Sequence, residues 1–524
     1  MARINDAAMA SSMSPKKTSS RSLRRSPSMD FDELHPHMMY GALMSFLDSL
    51  YRSSWDVVPS VVSARVVALA LLIPAMFIVF PLIVLERIVE ITTVLIVLAE
   101  ASFFLWLRRL RSRLNLVRPM SQRLLPVQPH DVFERTLARI DQCATWPIGR
   151  TPTEWLEGWF MKTPISQIKR GNAEEFFAWA FFNKYPSELK EEEMSEMKAM
   201  LQECERRYGW ELAGGYSTGV RPMRINFDRI QAWYHPLWYY AGILGLRLAT
   251  RSTMQLMGFT YHGGEASGGL SYFHCPPPAR PGQLLEVGKV VEPSRALPVV
   301  LVHGLGIGIA PYVQFIRQLS ALRECFVIEL PEISQACCES VLPPEVMAEA
   351  LSAMLQAHGH RQAIFISHSY GTFVMSWVLQ FRRDFVAKAV LLDPVALLLA
   401  QPDVAYNFLY RQPDQPMLMF AAHFVRWELF SAHVLMRHFY WHHNVLWKED
   451  LPPNSLVVLS SHDDICNSHY VRRYLEDHQR QEDAAKSKLQ VLWLDGFFHG
   501  DSDSESQDWP GAPGRISHRR TSVL

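Results

Sequence analysis

The chain has 524 residues, 52 basic and 52 acidic, for a formal net charge of zero, which argues against nucleic acid as a partner. Its seven cysteines are scattered and only Cys337 and Cys338 adjoin, so neither a disulfide framework nor a paired metal-binding spacing is present. At this length there is room for one large domain and a further unit.

The first segment, residues 1–58, begins with some thirty residues rich in Ser, Arg and Lys and is expected to be disordered. Residues 59–118 read as a membrane anchor. Val66 to Leu85 carries no charge and is long enough to cross a hydrocarbon core of roughly 30 Å. Pro74 and Pro81 are tolerated in such helices. A second apolar run, 88–107, is interrupted by Glu90 and Glu100. It reads either as a second span, with a tight hairpin at Glu86-Arg87, or as a helix lying in the interface. Lys16, Lys17, Arg21, Arg24 and Arg25 precede the apolar runs, and Arg108, Arg109, Arg111, Arg113 and Arg118 follow them. A hairpin would place both ends in the cytosol, whereas a single span leaves the charge bias nearly balanced. The run starts too late and is too long for a secretory signal peptide. The absence of any N-x-Ser/Thr sequon and of a disulfide framework favours a cytosolic face for the rest of the chain. The organelle is not legible.

Residues 119–255 pattern as a helical extension. The stretch from Asn172 to Phe182 reads as amphipathic, and the charged run from Glu188 to Arg207 as a solvated helix face with intrahelical pairs. Trp155, Trp159 and Phe160 suit core packing better than a lipid interface. The extension is expected to pack against the domain that follows.

That domain occupies residues 256–500. Gly258 to Phe273 reads as a β-hairpin with Gly263-Gly264 and Gly268-Gly269 in its loop, and a proline-rich linker (Pro276 to Pro293) follows. A short β-branched strand from Pro298 then ends in His303-Gly304-Leu305-Gly306, a loop whose backbone N–H groups can approach a developing oxyanion. Ala363 to Ile366 is an apolar strand, Ser367-His368-Ser369-Tyr370-Gly371 a turn, and Thr372 to Leu379 an apolar helix. Strand, sharp turn and helix make the setting of a nucleophile elbow, where only small residues fit two positions either side of the serine. Gly371 meets that demand; Ser367 stands where glycine is usual. Asp393 follows a further strand, in Leu391-Leu392-Asp393-Pro394.

Residues 396–453 are dense in aromatics at spacings near three or four, which suggests amphipathic helices. His438, His442 and His443 lie there without a carboxylate or cysteine at a ligand-like spacing, so no metal and no cofactor are expected. Ser455 to Ser460 is another strand, running into Ser461-His462-Asp463-Asp464-Ile465. Leu489 to Leu494 is the last, closed by Asp495-Gly496-Phe497-Phe498-His499-Gly500. The tail, 501–524, is expected to be disordered. Its ending, Ser522-Val523-Leu524, lacks the central basic residue of a peroxisomal signal.

Glycine-rich loop, Ser, Asp and His in this order, each beside its own strand, resemble the α/β-hydrolase superfamily over roughly residues 255–500. The resemblance implies an α/β fold: a mostly parallel central sheet flanked by helices, with residues 396–453 as a helical cap. It implies Ser369 as nucleophile and His499 as general base, later acid. Asp463 is the implied acid, because Asp463-Asp464-Ile465-Cys466 looks like the family's Asp-x-aliphatic-aliphatic segment; Asp464 and Asp393 are the alternatives. Leu305 and Tyr370 would offer the oxyanion N–H groups, with His303 and Gly304 in the same loop, and His303 and His368 are read as structural. The implied activity is that of a membrane-anchored serine hydrolase acting on an ester of a lipid or another apolar acyl compound. An acyltransferase using the same triad, and a non-catalytic lipid-binding or scaffold protein on this fold, are the alternatives.

Overall fold

A computed structural model of the chain describes residues 44–45, 61–116, 128–264, 268–278, 285–286, 289–290, 296–481 and 489–500. The N-terminal segment before residue 44, most of the proline-rich linker and the tail from 501 lie outside these, and so do the expectations of disorder placed on them. The chain divides into two units, Met1–Leu98 and Ala99–Leu524.

The first unit is described almost entirely by one helix. Helix α1 (Val61–Leu116) continues through Leu98 into the second unit, and among the described residues it alone is long and apolar enough to cross a membrane. The tight hairpin at Glu86-Arg87 is not formed. The pair contains no glycine, proline or asparagine to reverse the chain, and Arg87 instead pairs with Glu90 one turn on at 2.5 Å. The 88–107 run is therefore a continuation of the same helix.

In the second unit, Leu107, Leu110 and Leu114 of α1 are buried with the helical extension: α2 (Pro129–Ala144), α3 (Pro152–Trp159), α4 (Arg170–Phe182) and α5 (Glu191–Tyr208). Helix α4 departs from its amphipathic expectation. Phe176, Phe177, Trp179, Phe181 and Phe182 are all buried, because a helix apolar on nearly every side is stable only when surrounded. The α5 charges do face outward, and Arg206 pairs with Glu203 at 2.7 Å. Trp155, Trp159 and Phe160 are buried. The Trp155 indole donates to the Ala400 carbonyl at 2.9 Å, and Trp441 returns the tie by donating to the Ala180 carbonyl at 2.6 Å. The extension is thus bonded onto the segment that the sequence marks as a cap.

Helix α6 (Leu237–Leu256) leads into the sheet. Its strands are β1 (Thr260–His262), β2 (Ser271–Cys275), β3 (Val299–Val302), β4 (Cys325–Glu329), β5 (Ala363–His368), β6 (Val386–Leu392), β7 (Leu456–His462) and β8 (Gln490–Phe498). They lie in the spatial order β1-β2-β4-β3-β5-β6-β7-β8. β2 is antiparallel to β1 and β4, and β4 through β8 run parallel. Parallel strands covered on both faces read as unbroken apolar runs, and β3 and β5 are buried at every position. Val299 and Leu301 face a core with Ile316 and Leu319 of α7 (Val313–Ser320). Their neighbours Val300 and Val302 face the other core, with Leu351 of α8 (Pro344–Ala357) and Phe373 of α9 (Gly371–Phe381). Because these strands run parallel, the C-terminal ends of β3, β5, β7 and β8 lie together at one edge of the sheet.

Between β6 and β7 the cap has a π-helical turn (Tyr406–Tyr410), then α10 (Pro416–Ala421), a second π-helical turn (Ala422–Arg426) and α11 (Leu429–Arg437). Glu428 caps α11, accepting from the Phe430 and Ser431 amides at 3.0 and 2.8 Å. It also accepts from the Tyr240 hydroxyl of α6 at 2.7 Å. Finally, α12 (Ser468–Gln481) crosses back from β7 to β8.

Candidate active site

The turn between β5 and α9 holds Ser369 at φ 48°, left-handed backbone that costs a non-glycine residue strain of order 1 kcal/mol or more. Hydrogen bonds fix it there. The Ser369 amide donates to Leu392 O at 3.0 Å, and its carbonyl accepts from the Thr372 hydroxyl at 2.6 Å. The elbow presses on β3 so closely that a Cβ on Gly371 would lie 2.5 Å from the Val302 carbonyl oxygen. Glycine is required there. Gly304 is similarly confined: its Cβ would sit 2.9 Å from His368 Nδ1 and 3.1 Å from Ser369 Cβ.

Ser369 Oγ lies 2.8 Å from His499 Nε2, and His499 Nδ1 lies 2.7 Å from Asp463 Oδ2. Three residues from the ends of β5, β7 and β8 are thereby joined in one hydrogen-bonded line. Asp463 Oδ1 accepts from the Ile465 and Cys466 amides at 2.8 and 2.9 Å. Its Oδ2 also accepts from the Cys466 thiol at 2.9 Å. Burial pushes the Asp463 carboxyl up, but the His499 charge and the bonds from His499 and Cys466 outweigh it and hold the group below its ordinary value. Burial and the neighbouring Asp463 charge push the Cys466 thiol far up, so it stays protonated and acts as a donor. Asp463, Cys466 and His499 are close enough to suit a metal, but these bonds already commit the carboxylate to its neighbours.

The two alternative acids lie elsewhere. Asp464 is exposed and lines the cavity rim. Asp393 is buried, and accepts from the Ser460 amide at 2.9 Å and from the Gly500 amide at 3.0 Å. It ties the loop next to His499 onto β7. Burial raises its carboxyl despite the opposing His499 charge.

The two structural histidines shape the loop. His303 Nε2 accepts from the Leu330 amide at 3.1 Å, so Nδ1 carries the proton that it gives to Gly304 O at 2.7 Å. The Tyr312 hydroxyl accepts from the Gly304 amide at 2.9 Å and therefore donates to His368 Nδ1 at 2.6 Å. Burial, then the His499 charge, lowers His368 to about 3, which keeps it a neutral acceptor. Tyr312 and Cys466 are the supports that sequence reasoning misses: each acts across the fold on a group whose role, not whose partner, is written locally.

Leu305, Tyr370 and Ser369 border one cavity of about 730 Å³. Neither the Leu305 nor the Tyr370 amide has a hydrogen-bond acceptor among the described residues, which leaves both as donors. The cap supplies most of the wall, including Phe408, Leu409, Leu418, Val425, Leu435 and Phe439. Arg411 and Arg426 also border it; Arg426 is buried and spends Nη1 on the Phe408 and Arg411 carbonyls at 3.0 and 2.9 Å. His438, His442 and His443 lie away from this cavity, and His442 and His443 are buried with neighbouring aromatics.

Residues 298–489 match the family described as alpha/beta hydrolase fold. No curated protein matches the chain in sequence. Among solved structures it is similar to a bacterial membrane phospholipase A described as a virulence factor, at 14% identity and TM-score 0.32, over 50% of this chain and 87% of that one. It is also similar to carboxylesterase CesB from Bacillus subtilis (13%, 0.31, covering 49% and 92%). A third is a lipase-like protein from Acinetobacter baumannii (12%, 0.32, covering 49% and 90%). Its sheet order, its strand–turn–helix elbow and the family match over residues 298–489 together give this chain an α/β-hydrolase fold.

Proposed function

We propose that this protein is a membrane-anchored serine hydrolase that cleaves a carboxylic ester of an apolar acyl compound, such as a lipid. The observation that carries the proposal is the line from Ser369 Oγ through His499 to Asp463, at 2.8 and 2.7 Å, opening on a largely apolar cavity. In this reading Ser369 Oγ attacks the ester carbonyl carbon while His499 Nε2 takes its proton. Leu305 and Tyr370 N–H groups stabilise the tetrahedral oxyanion. Collapse breaks the C–O bond, and the imidazolium returns the proton to the departing alcohol. Water, deprotonated by His499, then cleaves the acyl-serine and releases the acid. Asp463 keeps the imidazole in the tautomer with its lone pair toward Ser369 and stabilises the imidazolium.

The domain assignment that goes with it is an anchor over 59–118, a helical extension over 119–255 and a hydrolase domain over 256–500 capped by 396–453. Support for the membrane comes from the apolar length of α1. The hydrolase-bearing unit adds its own apolar surface, with Trp238, Leu244 and Leu248 of α6 exposed. A cytosolic hydrolase domain rests on the lack of sequons and of a disulfide framework. The test is hydrolysis of a panel of acyl esters by membranes carrying wild type or Ser369→Ala. The variant is expected to lose more than about ten-thousand-fold in kcat. Equal turnover by the two proteins would refute the nucleophile. Release of wild type from membranes by alkaline carbonate would refute the anchor separately.

A further inference from the structure

Far along the sheet from the elbow, at its antiparallel edge, three histidines meet. His262 ends β1 and faces Tyr272 across the antiparallel pair. His274 lies two residues further along β2, and hence on the same face. His358 closes α8. One ring nitrogen from each lies within 4.8 Å of the others, and all three are half-buried. The rings pack closely, with His274 and His358 centroids 4.2 Å apart and His262 and His358 5.7 Å apart.

We propose that His262, His274 and His358 form a binding site for a divalent transition cation of the zinc type, with solvent completing the coordination. Three neutral imidazoles and an open fourth position are a recurrent zinc donor set. The neighbours do what an outer shell does for metal-binding histidines. Glu324 Oε1 accepts from His274 Nε2 at 2.9 Å, which fixes the ring and leaves the Nδ1 lone pair for a metal. Glu324 Oε2 is itself held by His360 at 3.0 Å. The Tyr272 hydroxyl lies 3.2 Å from His358 Nε2 and steadies the third ring. Zinc–nitrogen bonds of about 2.1 Å put ligand nitrogens roughly 3.4 Å apart, so small ring rotations would close the set. The sequence pattern does not disclose it, because the three residues are brought together only by strand pairing and by the end of α8. A bound ion would staple β1 and β2 to α8.

The probe is zinc chloride, titrated calorimetrically into chelator-treated full-length protein in detergent micelles. One saturating equivalent of micromolar or tighter affinity is expected, together with a rise of a few degrees in Tm. His262→Ala and His274→Ala should each abolish both, and Glu324→Gln should weaken binding about 10–100-fold. His499→Ala should keep the equivalent, which separates this site from the Asp463–Cys466–His499 group. If His274→Ala does not fold, His262→Ala at the end of a three-residue strand carries the test. No saturable equivalent in wild type, or one that survives His262→Ala and His274→Ala, overturns the proposal. So does an equivalent lost only with His499→Ala.

Discussion

Asp463 accepts four hydrogen bonds, one each from His499, the Ile465 amide, the Cys466 amide and the Cys466 thiol. The thiol bond is the unusual member, because it competes with His499 for Oδ2. It aims that oxygen while leaving the imidazole bond at 2.7 Å. A hydrogen bond to a charged group contributes about 1.5–3 kcal/mol, so Cys466→Ala is expected to lower kcat about tenfold with little change in KM. Cys466→Ser keeps a donor and should recover most of that activity. An alanine variant with wild-type kcat and an unshifted pH profile would reduce Cys466 to a packing residue. At this scale the sequence spoke unevenly. Ser369, Asp463 and His499 are expected from the sequence because each sits at a strand end in a fixed order, and the folded chain brings the three into one hydrogen-bonded line. Asp463 is preferred in sequence over Asp464 and Asp393 for its resemblance to an Asp-x-aliphatic-aliphatic segment, and in the folded chain its Oδ2 lies 2.7 Å from His499 Nδ1. Tyr312 and Cys466 carry no such local signal, because the groups they support come from other elements of the fold.

Strand β5 carries the departure that the pentapeptide announces. Ser367 replaces the usual glycine, is fully buried, and its hydroxyl has no hydrogen-bond partner among the described residues. Leaving a buried hydroxyl unpaired costs about 1–3 kcal/mol. Ser367→Ala, nearly the same size, is therefore expected to raise stability by about 1 kcal/mol in denaturant melts. A lower midpoint would mean that the hydroxyl has a partner that matters. The strands themselves were readable because parallel, doubly covered strands are continuous apolar runs. Cys325–Glu329 (β4) is a short run with no flanking motif to mark it as a strand. The helices were harder. An apolar helix buried all round, as α4 is, shares its local signals with an amphipathic one, and its surroundings come from Trp441 and other residues far along the chain. The hairpin at Glu86-Arg87 failed on turn chemistry, which favours a continuing helix there.

Across the whole molecule, two buried imidazoles and a half-buried one give the fold an acid-sensitive signature. Burial, with the His499 charge, lowers His368 to about 3. Burial with the His438 charge lowers His433 to about 4, and burial with the Arg437 charge lowers His438 to about 4. Each has an ordinary value near 6.5. Below that value the unfolded chain takes up a proton that the folded chain refuses, so unfolding gains protons and stability falls. The contribution is complete above about pH 6.5 and declines as pH drops toward 3–4, by up to about 1.4 kcal/mol per pH unit for each group. The buried carboxyls of Glu332, Glu428 and Asp393, raised by burial, act in the opposite sense, so the test compares variants: Tm should fall less between pH 7 and pH 5 in His433→Gln than in wild type, and equal falls would contradict a neutral His433. The candidate zinc site belongs to this scale too, because only the assembled sheet edge brings its histidines together.

The central claim, that Ser369 is an activated nucleophile, is tested most directly by a fluorophosphonate probe on the folded full-length protein. Wild type should label in minutes, with the adduct mapped by mass spectrometry to Ser369, and Ser369→Ala should not label. A folded wild-type protein that stays unmodified, or a Ser369→Ala variant that labels equally, would contradict it.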